Sequence, residues 1–524
     1  EYEIDEDSRS EWRKIMDESL KIAKQLPETK NTPWPNAANI KYPHIPVACL
    51  QFNSRMYGEI IKDNKVCKTI VFGEDPTGQI EKTAQKISDH ISYQLLEQLP
   101  NWERNFDKLL MVLPLFGHMF KKVCYDPINQ RPSIIFCPPH EIVLNQSVSS
   151  LEDARRISHV MIMYNNEIIE RMNAGVFKKY DMDTFTMEDI DTSNYLNSQK
   201  KDAPVIKGRD TEIFQQIIEQ HRYLDLDEDG YREPYIVTVH KRSRRVLRIK
   251  ANYNPNSIII AKDGKFVGIN AIPYFTDYVF LPSVDGSYYG TGFGHLLYST
   301  SNAVNTLYNQ LIDAGTLANN SSGIIDSRAR MKKGPFRFIP GQFPEVNVPM
   351  GMSASQMFAP LPIRDPSQVL FQLLGLLTQS MKELSSVTDV MQGQQPATNT
   401  PATTVLALIE QGSKVYSSIQ KRVYLGLKKE LELLAYVNKT HLDDVEYFKT
   451  NEKMGLVNRS DYEVVGISIY PIVDPNISSQ AMRLARAQAL MALKGDSNVD
   501  DREIVSEYLD AINITNKDKV LPPP

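Results

Sequence analysis

Three segments in the middle of the chain carry apolar residues at every third or fourth position, and this spacing predicts three amphipathic helices. The first lies within residues 291–320 and the second within 366–389. The third, over 402–440, is the longest, and at 1.5 Å per residue it would extend over about 55 Å. Each helix alone suits an ordinary helical core, but one this long needs continuous burial, which neighbouring subunits could supply. Its apolar positions are Val405, Leu408, Ile409, Tyr416, Ile419, Val423, Leu427, Leu431, Leu434 and Val437.

The rest of the chain alternates between helix and strand patterns. Residues 1–50 predict a helix followed by a proline-rich arm, which has little core of its own and is expected to reach a neighbouring subunit. Residues 51–290 mix both patterns, with one helix expected over 101–120 and alternating strands prevailing towards the end. Strands resume in 441–477, and 478–524 are again helical. This order indicates an α+β chain with a helical centre rather than an alternating βαβ enzyme sheet.

Two polar segments interrupt the helical centre. The insertion over 321–365 is rich in proline and holds a basic cluster, which suits either a solvated hairpin or contact with phosphate groups or an acidic partner. The cluster consists of Arg328, Arg330, Lys332, Lys333 and Arg337. The loop over 390–401 is uncharged, and its amides and hydroxyls could hydrogen-bond DNA phosphates without releasing counterions. Its polar side chains include Gln392, Gln394, Gln395, Thr398 and Asn399.

Composition and charge narrow the classes of function. A chain of 524 residues exceeds a single core and is expected to form two or more domains. Its net charge of −5 argues against a protein that clamps duplex DNA, which usually presents a strongly basic face. The four cysteines lack C-x-x-C spacing and indicate reduced thiols in a cytosolic protein rather than a zinc motif. The longest apolar run is too short and too interrupted to span a bilayer, and the N-terminal residues do not form a signal region.

Candidate catalytic and metal-binding motifs are weak. Asp225, Asp227 and Asp229 match the opening of an EF-hand loop, but Ile236 stands where that loop requires a bidentate glutamate. An acidic hairpin turn is favoured, and a weak Ca²⁺ or Mg²⁺ site at the three carboxylates stays open. The glycines of residues 290–294 are expected to let the chain turn closely into the following helix instead of binding a nucleotide. Because no nucleophile–base motif is present, we expect neither an enzyme nor a cofactor.

Several stretches, in their order along the chain, resemble the portal proteins of podovirus-like tailed bacteriophages. The wing helix and strand of that family are similar to DKLLMVLPLFGHMFKKVCYDP. The segment leading into the first stem helix resembles YYGTGFGHLLYSTSNAVNTLYNQLIDAG. The tunnel loop and the helix behind it resemble GQQPATNTPATTVLALIEQGSKVYSSIQKRV, and the start of the crown resembles DPNISSQAMRLARAQALMAL.

The resemblance implies the portal fold, which consists of an α/β wing, a helical stem, a small α/β clip, a long central helix and a helical crown. Carried onto this chain, the parts are the N-terminal helix and arm over 1–50, the wing over 51–290, the stem helices over 291–320 and 366–389, the clip over 321–365, the tunnel loop over 390–401, the long helix over 402–440, strands returning to the wing over 441–477 and the crown over 478–524.

The resemblance also implies a function, namely a dodecameric ring at one capsid vertex through which double-stranded DNA is packaged and ejected. Expected partners are the terminase large subunit, a head-tail adaptor, and the major capsid and scaffolding proteins. The ring would assemble in the host cytoplasm, enter the virion and involve no membrane. The polar loop would line the channel, and the basic cluster would lie at the clip end. Two other classes stay open: a metal-dependent hydrolase with its site at Asp225, Asp227 and Asp229, and a helical scaffold or adaptor without a bore.

Overall fold

The chain forms two compact units in the computed structural model. The structure describes residues 1–25, 30–32, 34–60, 65–73, 75, 78–99, 101–181, 214–319, 323–325, 358–360, 367–385, 402–450, 453–472, 487–488, 490–491 and 501–512. The first unit, here called the body, comprises Glu1–Lys21, Ile45–Leu296 and Ser386–Pro524. The second, here called the stem unit, comprises Ile22–His44 and Leu297–Ser385.

Helices occur along the whole described chain. They are α1 (Tyr2–Ser8), α2 (Ser10–Lys24), α3 (His44–Ile60), α4 (Gln79–Tyr93), α5 (Trp102–Phe116), α6 (Asn165–Asn173), α7 (Phe293–Asn319), α8 (Gln368–Leu384), α9 (Ala402–His441) and α10 (Asp501–Ala511). A π-helical turn at Gln94–Gln98 continues α4. Helices α7, α8 and α9 lie where the apolar spacing predicts the three central helices.

The strands pair antiparallel throughout the described residues. They are β1 (Cys67–Val71), β2 (His118–Asp126), β3 (Arg131–Cys137), β4 (Ile142–Val143), β5 (Arg156–Tyr164), β6 (Phe214–Leu224), β7 (Glu233–His240), β8 (Val246–Ala251), β9 (Ile258–Ile260), β10 (Phe266–Ile269), β11 (Phe275–Val279), β12 (Gly323–Ile325), β13 (Phe358–Pro360), β14 (Val445–Thr450), β15 (Lys453–Asn458) and β16 (Ile467–Pro471). One sheet has the order β4-β5-β6-β7-β8 and another the order β11-β2-β3, and the remaining strands form two-stranded pairs. Helices and antiparallel sheets that do not alternate as βαβ units make this an α+β fold.

The C-terminal half of α9 forms much of the body's core, because it packs on β2, β11 and β16. Gly426 permits the closest approach: a Cβ atom at this position would lie 2.6 Å from the Asp277 carbonyl oxygen. Where side chains of the helix are described, every apolar position that the spacing selects is buried, and Leu433, which the spacing did not select, is buried as well. The selected positions are Ile419, Val423, Leu427, Leu431, Leu434 and Val437.

The helix expected over 101–120 is wrong at its C-terminal end. Gly117 has a φ of 85° and its N–H donates to the Leu113 carbonyl oxygen at 2.8 Å, so α5 ends in a left-handed cap. His118 already pairs with Val279 of β11. The apolar residues after Gly117 therefore belong to a buried strand, which helical spacing cannot distinguish from a continued helix.

The N-terminal arm lies along α7 of its own chain, and the expected exchange with a neighbouring subunit stays a prediction. The backbone N–H groups of Ala38, Ile40 and Tyr42 donate to side-chain oxygens of α7, each at 2.7 or 2.8 Å. The acceptors are, in the same order, Asp313, Asn309 and Asn305. The spacings agree, since two extended residues advance about 6.6 Å and four helical residues about 6 Å. The polar side chains of α7 thus supply the support that the arm's own sequence lacks.

Candidate functional site

The two polar segments expected to carry function lie outside the described residues. This holds for the basic cluster of Arg328, Arg330, Lys332, Lys333 and Arg337, and for the loop residues Gln392, Gln394, Gln395, Thr398 and Asn399. Their roles therefore stay predictions. Flanking elements are described for both segments: β12 and β13 lie within the insertion, and α8 and α9 lie on either side of the loop.

The insertion between α7 and α8 is closed at its base by a short β-ladder. Ile325 pairs with Phe358 and Gly323 pairs with Pro360. Cα atoms of paired antiparallel residues are only about 5 Å apart. Ile325 and Phe358 therefore lie side by side at the base of the insertion.

Helix α8 exposes most of its apolar side chains. Val369, Phe371 and Leu376 keep 66%, 55% and 68% of their surface accessible, and Met381 is its one buried apolar residue. Its other apolar residues are half-buried or exposed, namely Leu370, Leu373, Leu374, Leu377 and Leu384. A helix that is apolar on several sides is stable when other surfaces cover it, and an exposed apolar patch of this kind is typical of a subunit interface. The sequence analysis noted this spacing but could not distinguish a core helix from an interface helix.

The C-terminus of α8 is held within the stem unit by a buried histidine. Nε2 of His44 lies 2.9 Å from the Met381 carbonyl oxygen and 3.0 Å from Oγ of Ser385. Burial lowers the pKa of His44, which favours the neutral ring. The neutral ring can donate to one of the last carbonyl groups of the helix, which have no partner within it.

In the body, α9 is fixed to the sheet of β11, β2 and β3 by a fully buried ion pair. Nζ of Lys121 on β2 lies 3.0 Å from both carboxylate oxygens of Glu430 on α9. Glu430 also accepts hydrogen bonds from Nε1 of Trp102, at 2.6 Å, and from the hydroxyl of Tyr278. The ammonium group lies over the ring of Phe106, with 4.3 Å to its centroid. These contacts give each buried polar group a partner, which a buried ion pair requires.

Burial shifts the pKa of Lys121 and the pKa of Tyr278 in this network. Desolvation lowers the pKa of Lys121, and the nearby Glu430 carboxylate opposes that shift. Desolvation and the Glu430 charge both raise the pKa of Tyr278 well above its usual value, so its hydroxyl stays protonated and donates. Sequence reasoning did not find this network. The available signal is that Glu430 falls on the apolar side of α9, three residues after Leu427 and four before Leu434.

Asp225, Asp227 and Asp229 come together at the turn between β6 and β7. One oxygen of each carboxylate lies within 4.8 Å of the others. Two of the carboxylates brace the turn, because Gly230 N–H donates to Asp225 at 3.0 Å and Tyr231 N–H donates to Asp229 at 2.7 Å. Strands flank the turn on both sides, and Asp227 and Asp229 are exposed. The geometry is that of a solvated hairpin turn, and whether it binds a cation stays untested.

The glycines before α7 serve close packing. A Cβ atom at Gly292 would lie 2.6 Å from the backbone atoms Gly117 N, Leu115 O and Pro114 O. Such distances do not occur in proteins, so the site requires glycine and has no room for a phosphate at this point. The structural interpretation of the motif at 290–294 is therefore confirmed at Gly292.

Two comparisons with known proteins, and the length and polarity of the helices, indicate which family the chain belongs to. A search among curated proteins returned no match. Across the described part of the chain, every helix is too short or too polar to pass through a bilayer. The model of one family, described as phage SU10 portal protein, matches residues 70–463, a span that contains α7, α8 and α9. Since the match covers well over half of the chain, the protein belongs to the family of phage portal proteins represented by the SU10 portal protein.

Proposed function

We propose that this chain is one subunit of a closed, dodecameric ring at a capsid vertex of a phage. Double-stranded DNA passes through the ring during packaging and ejection. The observation that carries the proposal is the exposed apolar surface of α8, defined by Val369, Phe371 and Leu376, in a chain whose family is that of portal proteins. In a ring, each subunit presents one surface to the next and a different surface to the previous one. Helix α8 supplies one such surface.

The charge of the chain suits a conduit. Twelve chains with a net charge of −5 each carry about −60, and a negative wall repels the phosphate backbone. The proposed constriction consists of the uncharged loop over 390–401, with Gln392, Gln394, Gln395, Thr398 and Asn399 towards the DNA. Amides and hydroxyls form hydrogen bonds to phosphates that break easily, because binding releases no counterions. A density map with these side chains outside the bore would contradict this placement.

Contacts with other proteins are assigned to the insertion that β12 and β13 close at its base. We assign its basic cluster to the clip end of the ring, where it meets the terminase large subunit during packaging and the head-tail adaptor afterwards. Five cations without an equal number of carboxylates suit an acidic surface or phosphate groups. The wing is assigned to contacts with the major capsid and scaffolding proteins. The ATPase belongs to the terminase, and the portal contributes passage and docking within the virion.

The Lys121–Glu430 ion pair indicates how a ring of this kind can bear load. Helix α9 begins at Ala402, directly after the loop over 390–401, and its described C-terminal half is buried in the body. A force that DNA exerts on the loop passes into this helix and then into the wing sheet through the ion pair.

The experiment is a pair of double variants compared by native mass spectrometry. Phe371→Glu/Leu376→Glu places two carboxylates on the exposed apolar surface of α8. Gln372→Glu/Ser380→Glu is the matched control, because it adds the same charge at exposed polar positions of the same helix. We expect the first variant to lose the ring and the control to keep it. Rings of equal mass and abundance in both variants would contradict the proposed interface.

A further inference from the structure

Three side chains of different metal-binding types meet at the corner that joins β3 to β4 and β5. Cys137 is the last residue of β3, Glu141 follows it in the corner, and His159 lies on β5. Sγ of Cys137 is 3.6 Å from Nε2 of His159, and the same Nε2 is 3.9 Å from a carboxylate oxygen of Glu141. All three ligand atoms lie within 4.8 Å of one another. The thiol and the imidazole are buried, with 0% and 2% of their residues' surface accessible.

The corner is held in shape independently of these three side chains. Pro138 and Pro139 restrict its backbone, and Glu141 N–H donates to the Pro138 carbonyl oxygen at 2.9 Å. From the other side, Nη1 of the buried Arg9 donates to the Pro139 carbonyl oxygen at 2.6 Å. Across the sheet, Val160 N–H donates to the Glu141 carbonyl oxygen at 2.7 Å. The ligand atoms are therefore preorganised, which is a condition for selective metal binding.

The distances agree with a tetrahedral zinc ion. Zinc–sulfur and zinc–nitrogen bonds of about 2.3 and 2.05 Å at a tetrahedral angle place the two ligand atoms about 3.6 Å apart. This is the separation of Cys137 Sγ and His159 Nε2. Glu141 needs a shift of a few tenths of an ångström, which a half-buried side chain can make. Cysteine, histidine and glutamate are all ordinary zinc ligands.

The surroundings balance the charge of such a site. Nζ of the neighbouring Lys122 is paired with Glu219 at 2.6 Å, so its charge is compensated. A divalent ion together with one thiolate and one carboxylate ligand has no net charge. A zinc-bound cysteine is a thiolate, so the ion must displace the proton of Cys137 and binding must strengthen with pH.

The site has access to solvent on one side. Glu141 also lines a cleft of about 560 Å³, together with Glu3, Glu6 and His140. The lining carries both signs of charge, because Arg13, Lys241 and Arg244 also face the cleft. A water molecule from the cleft can complete the tetrahedron opposite the buried ligands.

We propose that Cys137, Glu141 and His159 bind one Zn²⁺ ion per chain, with a water molecule as the fourth ligand. The ion ties the corner after β3 to strand β5 and so stabilises the wing. This proposal does not depend on the ring, because all three ligands belong to the body of one subunit.

The test uses Co²⁺, which replaces Zn²⁺ and reports its ligands by absorption. Purified protein, treated with a chelator and dialysed, is titrated with Co²⁺ at mildly alkaline pH. We expect the thiolate-to-cobalt charge-transfer band in the near ultraviolet with one equivalent bound, and its displacement by one equivalent of Zn²⁺. The band must grow as pH rises, because the thiol loses its proton on binding.

Variants decide which residues bind the ion. Cys137→Ser must abolish the band, and Glu141→Gln must weaken Co²⁺ binding by more than about tenfold, since even outer-shell changes have effects of that size. Cys124→Ser, on the adjacent strand β2, is the matched control and must keep the band. Glu141→Gln stays informative if Cys137→Ser does not fold, because Glu141 is half-exposed. Absence of the band, or its survival in Cys137→Ser, would overturn the proposal and leave a thiol–imidazole hydrogen bond only.

Discussion

The buried ion pair between β2 and α9 gives the sharpest prediction about stability. Glu430→Gln leaves the ammonium group of Lys121 without a counter-charge in a site with no solvent exposure. Breaking a buried pair from one side costs about 3–5 kcal/mol. Lys121→Met is expected to cost a similar amount, because the Glu430 carboxylate would keep only the neutral donors of Trp102 and Tyr278.

The double variant Lys121→Met/Glu430→Gln distinguishes this explanation from a simple loss of packing. It has no buried charge, and the amide introduced at position 430 can accept from Trp102 Nε1 through its oxygen and donate to the Tyr278 hydroxyl oxygen through its NH2 group. Replacing both partners by neutral groups of similar volume is often nearly neutral. We expect the double variant to lie within about 2 kcal/mol of the wild type, so the two single effects should not add.

The pH dependence of Glu430→Gln follows from the pKa of Lys121. Desolvation already lowers that pKa in the folded protein, and loss of the Glu430 charge removes the opposing contribution. In the unfolded chain the lysine keeps its proton up to about pH 10.4. Between the two pKa values the unfolded state binds more protons, so raising the pH stabilises the folded state. The deficit of Glu430→Gln should therefore shrink as the pH rises above neutrality.

The assay is urea unfolding followed by tryptophan fluorescence, to which Trp102 contributes from within the network. Unfolding free energies of the wild type, both single variants and the double variant form a thermodynamic cycle. Single effects below about 1 kcal/mol would refute the buried-charge argument, as would a double variant whose loss equals the sum of the single losses.

Three further predictions concern the arm, the glycine turn and acid stability. Asn309→Ala removes the side chain that hydrogen-bonds both the N–H and the C=O group of Ile40 and should lower the unfolding free energy by about 1–3 kcal/mol. Gln310 is exposed on the same helix, so Gln310→Ala should have little effect. Thermal melts of both variants measure the difference. Gly292→Ala should prevent stable folding, because the alanine Cβ would collide with backbone atoms. Gly315 has open space around it, so Gly315→Ala should be neutral or stabilising by up to about 1 kcal/mol. Soluble yield and circular dichroism measure both effects. The melting temperature should fall as the pH drops below about 6.5, because several histidines are held neutral by burial and bind fewer protons when folded than when unfolded. A constant melting temperature between about pH 7 and 5 would contradict the third prediction. The histidines with a pKa lowered by burial are His44, His159, His221, His240, His295 and His441.

The spacing of apolar residues predicted the three central helices because it depends only on residues three or four positions apart in the chain. The positions Ile419, Val423 and Leu427 were selected from the spacing alone, and all three are buried in the body. The same rule failed after Gly117, where Met119 and Phe120 belong to a buried strand. Only the pairing of that strand with β11 decides the difference, and pairing depends on residues far away in the sequence.

The candidate site was less accessible to sequence reasoning. Val369, Phe371 and Leu376 have the composition of core residues, and only the fold shows that the chain itself leaves them exposed. Likewise, Cys137, Glu141 and His159 are not spaced as a zinc motif, and the pairing of β4 with β5 brings the histidine to the other two residues. The polar loop and the basic cluster were assigned through family resemblance, and that assignment needs an assembled particle to be tested.

The central claim is that this chain forms a hollow ring. Native mass spectrometry of the purified protein, with class averages from electron micrographs of the same sample, tests it most directly. We predict a mass near twelve times 59.7 kDa and a central hole along the symmetry axis. A monomer or dimer without a hole, obtained also in the presence of scaffolding protein, would contradict the proposal.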